Sequence, residues 1–166
     1  SDIAIGVETA QEPARYTGGE ARQSRDLEQV HLALGFEGVS FSDPDYFALS
    51  VMSTILGGGM SSRLFQEVRE ERGLVYTIYS FASSYLDGGL FGVYAGTGED
   101  EAETVVPVIC DILSGLANTV SEQELKRAKA QIKAGILMSL ESTASRCEQL
   151  ARQILVLGRP LPPDEI

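Results

Sequence analysis

Apolar residues alternate with other residues along three stretches of the chain, and this alternation is typical of β-strands. The first stretch is residues 27–36. The other two, residues 75–85 and 90–97, are rich in β-branched and aromatic residues and flank the turn sequence Asp-Gly-Gly at 87–89. The last two stretches therefore predict a β-hairpin closed by a glycine-containing turn.

Apolar residues spaced three and four apart in the remaining sequence predict five helices. The five apolar stripes are Phe47, Val51 and Ile55; Leu64, Phe65 and Val68; Val105, Ile109, Ile112 and Leu116; Leu125, Ala128, Ile132, Ile136 and Leu140; and Cys147, Leu150 and Ile154. We expect each stripe to face the interior of the protein.

Local signals mark the ends of the first two helices. Asp43 and Pro44 are typical of the cap and the first position of a helix. The glycines at 57–59 end the first helix, and either Ser61 or Ser62 can cap the next one with its hydroxyl. Gly73 stands where a left-handed residue commonly ends a helix.

The last three helices carry similar signals. Pro107 lies within the third stripe, so this helix either begins near Thr104 or is kinked at the proline. Ser121 and Glu124 have the spacing of a capping box for the fourth helix. The fifth helix is predicted for residues 143–157, followed by a glycine and three prolines.

The order of these elements, with the hairpin between groups of helices, predicts an α+β fold. We expect a two-layer domain in which helices cover one face of an antiparallel sheet. Residues 1–24 form a leading segment with a short strand at 3–7, residues 25–158 form the domain, and residues 159–166 form a tail. The chain starts with Ser rather than Met, which indicates a piece of a longer protein.

Composition and charge exclude several classes of function. The chain has 166 residues, of which 43% are hydrophobic and 22% charged, as expected for a globular domain. A formal net charge of −11 argues against nucleic acid or an anionic membrane as a partner. The sequence has no apolar run of the ~20 residues that cross a bilayer and no visible targeting segment, so we expect a cytoplasmic location.

The cysteines and the single histidine offer little metal chemistry. Cys110 and Cys147 fall within helical patterns and are expected to be buried free thiols. His31 is the only histidine, whereas the H-x-x-E-H motif of zinc peptidases needs two. His31 is therefore interpreted as a structural residue.

The chemistry of the central segment, residues 56–79, has competing interpretations. Its three glycines open a helix, as in phosphate-binding loops, but neither the Lys-Ser/Thr pair nor the preceding strand of a P-loop is present. A serine nucleophile is disfavoured because no G-x-S-x-G elbow exists. Arg69 and Tyr76 lie on either side of a turn. Either the two side chains converge on one ligand, or Arg69 pairs with a nearby glutamate and Tyr76 is a core aromatic.

The chain resembles the C-terminal half of the pitrilysin-type zinc peptidases, the inverzincins, which include mitochondrial processing peptidase and its bacterial relatives. The resemblance extends over residues 13–160. It rests on Gly-Gly-Glu at 18–20, Gln-Val-His at 29–31, LGGGMSSRLFQEVREERGLVYTIYSF at 56–81 and Asp-Gly-Gly-Leu at 87–90.

This resemblance implies a division of labour between two homologous halves that enclose a peptide. The N-terminal half carries H-x-x-E-H and a distal glutamate that bind zinc, so no cofactor is expected in this chain and zinc is expected in its parent. The C-terminal half supplies an arginine and, seven residues later, a tyrosine, which match Arg69 and Tyr76. These two residues are implied to be catalytic and, with Gly57, Gly58 and Gly59, to bind substrate.

The implied function is that of the substrate-binding half of a zinc-dependent endopeptidase, with this chain inactive alone. The expected partners are a peptide or unfolded protein and the homologous N-terminal half, and a dimer is left open. The alternative is a structural or substrate-presenting subunit of the same family that has lost catalysis.

Overall fold

The sheet of this protein is antiparallel, as predicted. The computed structural model describes residues 12–162 and Glu165, so the strand predicted at residues 3–7 lies outside the described part. Within that part, the strands are β1 (Val30–Gly38), β2 (Thr77–Ser84) and β3 (Gly89–Thr97). β3 lies in the centre because β1 and β2 both pair with it along their full lengths, in the order β1-β3-β2.

Helices cover one face of this sheet. Those in the described part are α1 (Tyr46–Gly57), a π-helix (Phe65–Glu71), α2 (Ala102–Thr119), α3 (Glu122–Ser139) and α4 (Thr143–Leu157). This arrangement confirms the predicted two-layer α+β fold. Within the same residues no single helix is long and apolar enough to cross a membrane, and only α2 and α3 taken together, with a bend of 103° between them, reach the required apolar length.

The core forms where the alternation of the strands meets the stripes of the helices. On the central strand Phe91, Val93 and Ala95 point to the helical layer and are buried. They pack in one cluster with the predicted α2 stripe, all four residues of which are buried. Burial of each large aliphatic side chain contributes roughly 1.5–3 kcal/mol, so this cluster is the main source of stability.

The other face of the sheet carries aromatic residues and no helix from the described part of the chain. Tyr79 of β2 stacks on Tyr94 of β3 with ring centroids 5.0 Å apart. The Tyr94 hydroxyl and His31 Nδ1, from β1, share a hydrogen bond of 2.6 Å, which agrees with a structural role for the histidine. Residues 12–27 run without regular structure, and the Tyr16 hydroxyl ties them to this sheet by donating to the Gly35 carbonyl.

The caps predicted for the first two helices are wrong. α1 begins at Tyr46, later than Pro44, and its N-cap is Asp45, without a side-chain cap hydrogen bond; the Asp43 carboxylate accepts from the Asp45 N–H in the turn before the helix. Ser62 is buried, and its hydroxyl donates to the Gly59 carbonyl at 2.6 Å rather than accepting from a helical N–H. Both side chains thus stabilise the turns that precede the helices.

The boundary between α2 and α3 follows the sequence signals more closely. α2 begins at Ala102, earlier than Thr104, so Pro107 lies inside its second turn. The capping box predicted for α3 is present, with the Ser121 hydroxyl accepting from the Glu124 N–H and the Glu124 carboxylate accepting from the Ser121 N–H.

The orientation of α4 differs from the prediction, although its predicted bounds and its end at Gly158 are confirmed. Cys147 is exposed, and Leu150 and Ile154 are 47% and 54% exposed, so the predicted stripe does not face the core. The helix has no buried residue and borders a groove of about 660 Å³ beside α1 and α3. Cys110 is exposed as well, on the outer side of α2, so the prediction of buried thiols is wrong for both cysteines.

Candidate functional site

The helix that carries Arg69 has π-helical hydrogen bonding from Phe65 to Glu71, which the sequence did not predict. Short π-helical stretches are rare and occur frequently at functional sites. The Arg69 guanidinium lies over the Phe65 ring, with Cζ 4.7 Å from the centroid, which confirms that the two residues share a face. A cation–π contact at an exposed position contributes about 0.5–1 kcal/mol, enough to favour one orientation of the arginine.

A tight turn joins this helix to β2. Gly73 has φ +64°, the left-handed conformation predicted for it. Its N–H donates to the Arg69 carbonyl at 3.1 Å, and the Leu74 N–H donates to the Val68 carbonyl at 3.0 Å. The pair resembles a Schellman motif in which each bond spans one additional residue, as the wider π-helical turn requires.

Two further hydrogen bonds fix the position of Tyr76 at the end of this turn. The Tyr76 N–H donates to the Gly96 carbonyl at 2.8 Å. The hydroxyl of Thr97, which is fully buried, donates to the Leu74 carbonyl at 2.5 Å. Gly96 and Thr97 both belong to the central strand β3. The backbone of residues 74–76 is therefore held by the rigid part of the sheet.

The Tyr76 side chain points away from the core. It is 62% exposed, which contradicts its interpretation as a core aromatic. Its hydroxyl lies near Gly98, where a β-carbon would be 3.8 Å from the phenol oxygen and would overlap the Glu101 carboxylate. The glycine therefore leaves space for both polar groups at this end of the sheet.

Arg69 and Tyr76 lie on opposite sides of the same short turn, and both are exposed. Among the residues that the structure describes, neither side chain forms a hydrogen bond or a salt bridge, so the alternative in which Arg69 pairs with a neighbouring glutamate is not found there. No hydrogen bond or cation–π contact joins these two described side chains. Tyr79, the other tyrosine of the segment, stacks on Tyr94 over the open face of the sheet and is not directed toward Gly98.

The three glycines before the π-helix have different surroundings. Gly57 is buried, and a β-carbon there would overlap the backbone nitrogen of Ser80 in β2. Gly58 and Gly59 are exposed, and Gly59 has φ +152°. Close packing therefore requires glycine at 57 and also at 58, where a β-carbon would overlap the Thr54 backbone, whereas Gly59 has space around it and is favoured by its positive φ.

α3 also holds this loop, a contribution that was not predicted from the sequence. Arg127 Nη2 donates to the Ser61 carbonyl at 2.8 Å, and Gln131 Nε2 donates to the Gly58 carbonyl at 2.6 Å. Glu124, on the same helix, accepts hydrogen bonds from Nε and Nη2 of Arg63, the residue that ends the loop. The spacing of three and four residues along α3 shows that one face of the helix makes all these contacts.

The ion pair between Arg63 and Glu124 is largely shielded from water, with side-chain exposures of 16% and 17%. The hydrogen bond from Arg63 is the main cause that lowers the pKa of Glu124 from 4.5 to about 2, and hydrogen bonds from Ser121 add to the effect against the desolvation of the carboxylate. The same hydrogen bond raises the pKa of Arg63. Both groups are thus charged over the whole physiological range of pH.

The donor side chains of this chain do not fit a zinc site. Within the described residues, no three histidine, cysteine, aspartate or glutamate side chains cluster closely enough to hold a metal ion. The single histidine shares its Nδ1 with the Tyr94 hydroxyl on the open face of the sheet.

The family model described as the peptidase M16 inactive domain matches residues 6–132 of this sequence. The chain belongs to the peptidase M16 inactive-domain family. An uncharacterized zinc protease from Rickettsia bellii is 36% identical to this M16 domain over 167 residues, covering 100% of the chain and 40% of the relative. The uncharacterized zinc protease YmxG from Bacillus subtilis is 37% identical over 164 residues, covering 98% of the chain and 40% of the relative.

Solved structures agree with this assignment. The peptidase M16 inactive domain from Pseudomonas fluorescens is 35% identical with a TM-score of 0.61, over 64% of this chain and 26% of that chain. A protease from Helicobacter pylori is 27% identical with a TM-score of 0.72, over 77% of this chain and 32% of that chain. The M16 domain therefore spans about two-fifths of the length of the Rickettsia bellii and Bacillus subtilis relatives, and a smaller share of the two solved chains.

Proposed function

We propose that this M16 domain is the substrate-binding half of a zinc-dependent endopeptidase and that Arg69 and Tyr76 act on the bound peptide. The observation that carries the proposal is the placement of both side chains on one anchored turn, exposed and without polar partners among the described residues. Exposed arginine and tyrosine side chains on a rigid turn are free to bind a ligand. Membership in the M16 family and the zinc-protease names of the relatives support the reaction class.

Tyr76 is suited to stabilise negative charge on the substrate. In peptide hydrolysis, charge develops on the oxygen of the scissile carbonyl as the tetrahedral intermediate forms. A phenol hydroxyl directed at that oxygen lowers the barrier, and the loss of one such donor slows turnover by about 10²–10³. The hydrogen bonds of the Tyr76 and Leu74 backbone to the central strand keep the phenol in place before the peptide binds.

Arg69 is suited to bind the peptide itself. Its guanidinium presents five N–H donors, and the Phe65 ring supports one side of its plane at 4.7 Å. Peptide carbonyls are acceptors that need such donors. Arg69 is therefore assigned to hold the backbone of the peptide in the ground state as well as in the transition state.

The zinc and the groups that bind it belong, in this proposal, to a homologous N-terminal half. This half pairs with the M16 domain around the peptide. The alternative is a structural or substrate-presenting subunit without catalysis, which the description of the family as an inactive domain also fits. The two functions differ in whether Tyr76 and Arg69 influence peptide cleavage in the complete protein.

Steady-state kinetics of Tyr76→Phe in the complete protein test the proposal. We expect kcat to fall by about 10²-fold with little change in KM, because the hydroxyl acts mainly on the transition state. Tyr85→Phe is the matched control, since Tyr85 is also 62% exposed but lies at the far end of the hairpin. If Tyr76→Phe keeps full turnover and Tyr79→Phe loses it, the tyrosine that acts on the peptide is Tyr79, on the open face of the sheet, and not Tyr76.

Arg69→Ala is expected to raise KM as well as lower kcat, because the guanidinium contacts the peptide in both states. Arg72→Ala is its control, three residues further on and likewise exposed. Unchanged kinetics in both Tyr76→Phe and Arg69→Ala would support the structural subunit instead.

A further inference from the structure

In the glycine loop, residues 58–61, the backbone carbonyls are hydrogen-bonded within the described part of the protein, whereas most of the backbone N–H groups are not. Four consecutive carbonyls, those of residues 58–61, each accept a hydrogen bond from the protein. Their donors are Gln131 Nε2 for Gly58, the Ser62 N–H and hydroxyl for Gly59, Gln66 Nε2 for Met60, and Arg127 Nη2 for Ser61. Each of these four backbone carbonyls therefore already has a hydrogen-bond donor.

Of the four N–H groups of the same stretch only that of Gly58 has an acceptor in the part of the chain that the structure describes, the Thr54 carbonyl at 3.1 Å. Among the described residues, the N–H groups of Gly59, Met60 and Ser61 have no hydrogen-bond acceptor. These residues are exposed, so their donors are hydrated in the free protein and available to acceptors on a ligand. A peptide backbone offers such acceptors in its carbonyls.

The two carbonyl contacts that come from residues distant in sequence are both made by α3. Gln131 and Arg127 are 73 and 66 residues distant in sequence from their acceptors. The two residues are four positions apart, so they lie on one face of a helix that is capped at its start and buried against the core through Ala128. The loop is consequently held by a rigid neighbour rather than by its own turns alone.

We propose that Arg127 and Gln131 are positioning residues that hold the carbonyls of the glycine loop toward α3 and so keep its N–H groups directed at the peptide. This inference rests on the proposed function, in which the peptide lies against the glycine loop. It adds a role for α3, which makes no contact with the peptide itself.

The sharpest variant is Gln131→Glu in the complete protein. It keeps the shape of the side chain but replaces the donor to the Gly58 carbonyl with an acceptor, so the loop has to move away. We expect KM to rise about five- to tenfold, the equivalent of one hydrogen bond, with kcat and melting temperature nearly unchanged. Gln123→Glu is the matched control, since Gln123 is exposed on the same helix and KM should stay at the native value.

Arg127 provides a rescue test. Arg127→Met removes the donor to the Ser61 carbonyl while keeping the aliphatic stem, and Arg127→Lys restores an N–H donor. We expect KM to rise in the first variant and to return most of the way in the second. A KM that is equal in both variants contradicts a role for the donor.

Hydrogen exchange separates this inference from the proposed function. In Gln131→Glu, exchange of the amides in residues 57–66 should accelerate relative to the native protein, measured by mass spectrometry on the complete protein. Unchanged exchange together with unchanged KM overturns the positioning role. Accelerated exchange with unchanged KM overturns the link between the loop and the peptide. Failure of the proposed function is seen elsewhere, as unchanged kinetics in Tyr76→Phe and Arg69→Ala.

Discussion

Arg63 donates two hydrogen bonds to the carboxylate of Glu124, at 2.6 Å from Nε and 2.9 Å from Nη2. The same guanidinium donates to the hydroxyl and the carbonyl of Thr119, the last residue of α2. Glu124 in turn accepts from the Ser121 N–H in the capping box of α3. This partly exposed ion pair therefore joins the end of the glycine loop, the end of α2 and the start of α3.

Glu124→Gln is expected to lower the free energy of unfolding by about 1–2 kcal/mol at pH 7. This value is smaller than the free energy that corresponds to the whole pKa shift of Glu124, because solvent screens an ion pair near the surface. The folded-state pKa of Glu124 is depressed from 4.5 to about 2, so its stabilisation is complete above pH 4.5 and declines as the pH falls toward 2. Urea unfolding of the purified chain between pH 7 and pH 3 should show the difference from the native protein shrinking below pH 4.5.

Glu122→Gln serves as the control for this experiment. Glu122 belongs to the same first turn of α3 but is 92% exposed and contacts only Lys126, at 3.9 Å, among the described residues. Its substitution should change the free energy of unfolding by less than about 0.5 kcal/mol. Equal effects of the two variants would show that the ion pair with Arg63 contributes nothing specific.

Gly57 is expected to be sensitive to replacement by alanine. Gly57→Ala is expected to destabilise the chain by about 2–3 kcal/mol, because its β-carbon overlaps the Ser80 backbone in β2. Gly135→Ala is the reference, since no atom lies within 4 Å of its β-carbon and alanine favours a helix by up to about 1 kcal/mol. Thermal unfolding that leaves Gly57→Ala as stable as the native chain contradicts the close contact.

Local sequence signals were enough to predict some features of this structure. Gly73, the Ser121 and Glu124 box and the bounds of α4 were predictable because each depends on residues within one turn of chain. The contacts of Gln131 and Arg127 with the loop were not predictable, because a side chain that bonds to a distant carbonyl leaves no period in the sequence. Arg69 and Tyr76 were predicted as site residues only through the family resemblance, since their spacing alone favoured an ion pair with a glutamate and a core aromatic.

The failed predictions have physical causes as well. Leu150 and Ile154 form an apolar stripe, but the stripe only shows that α4 is amphipathic and does not specify which neighbour covers it. The half-buried residues of α4, among them Gln153 and Val156, lie outside the predicted stripe. The helical caps failed because Asp43 and Ser62 bonded to adjacent turns, an alternative that these residue types always have.

Thr97→Val should loosen the turn that carries Tyr76. Valine keeps the shape of the buried side chain but leaves the Leu74 carbonyl without its donor, which costs about 1–3 kcal/mol of stability. Thr104→Val is the control, because Thr104 is exposed on the first turn of α2. Chemical denaturation of both variants checks the prediction, and an equal loss in the two would mean that the hydroxyl of Thr97 does not anchor the turn.

Both thiols are expected to react in the folded chain. Cys110 and Cys147 are exposed on α2 and α4, so a thiol reagent such as Ellman's reagent should titrate two thiols per chain without denaturant. Cys110→Ser and Cys147→Ser should each remove one of them. A thiol that reacts only after unfolding would show that its helix is covered by a neighbour in solution.

The purified chain is expected to bind no stoichiometric zinc and to cleave no peptide. The reason lies in the sequence, because H-x-x-E-H requires two histidines and the chain has only His31. Metal analysis by mass spectrometry and a fluorogenic peptide assay measure the two properties, with the complete protein as the positive control. In the complete protein, a chelator should abolish cleavage. Stoichiometric zinc in the isolated chain, together with chelator-sensitive cleavage, would contradict the division of labour between the two halves and place the catalytic groups within these 166 residues.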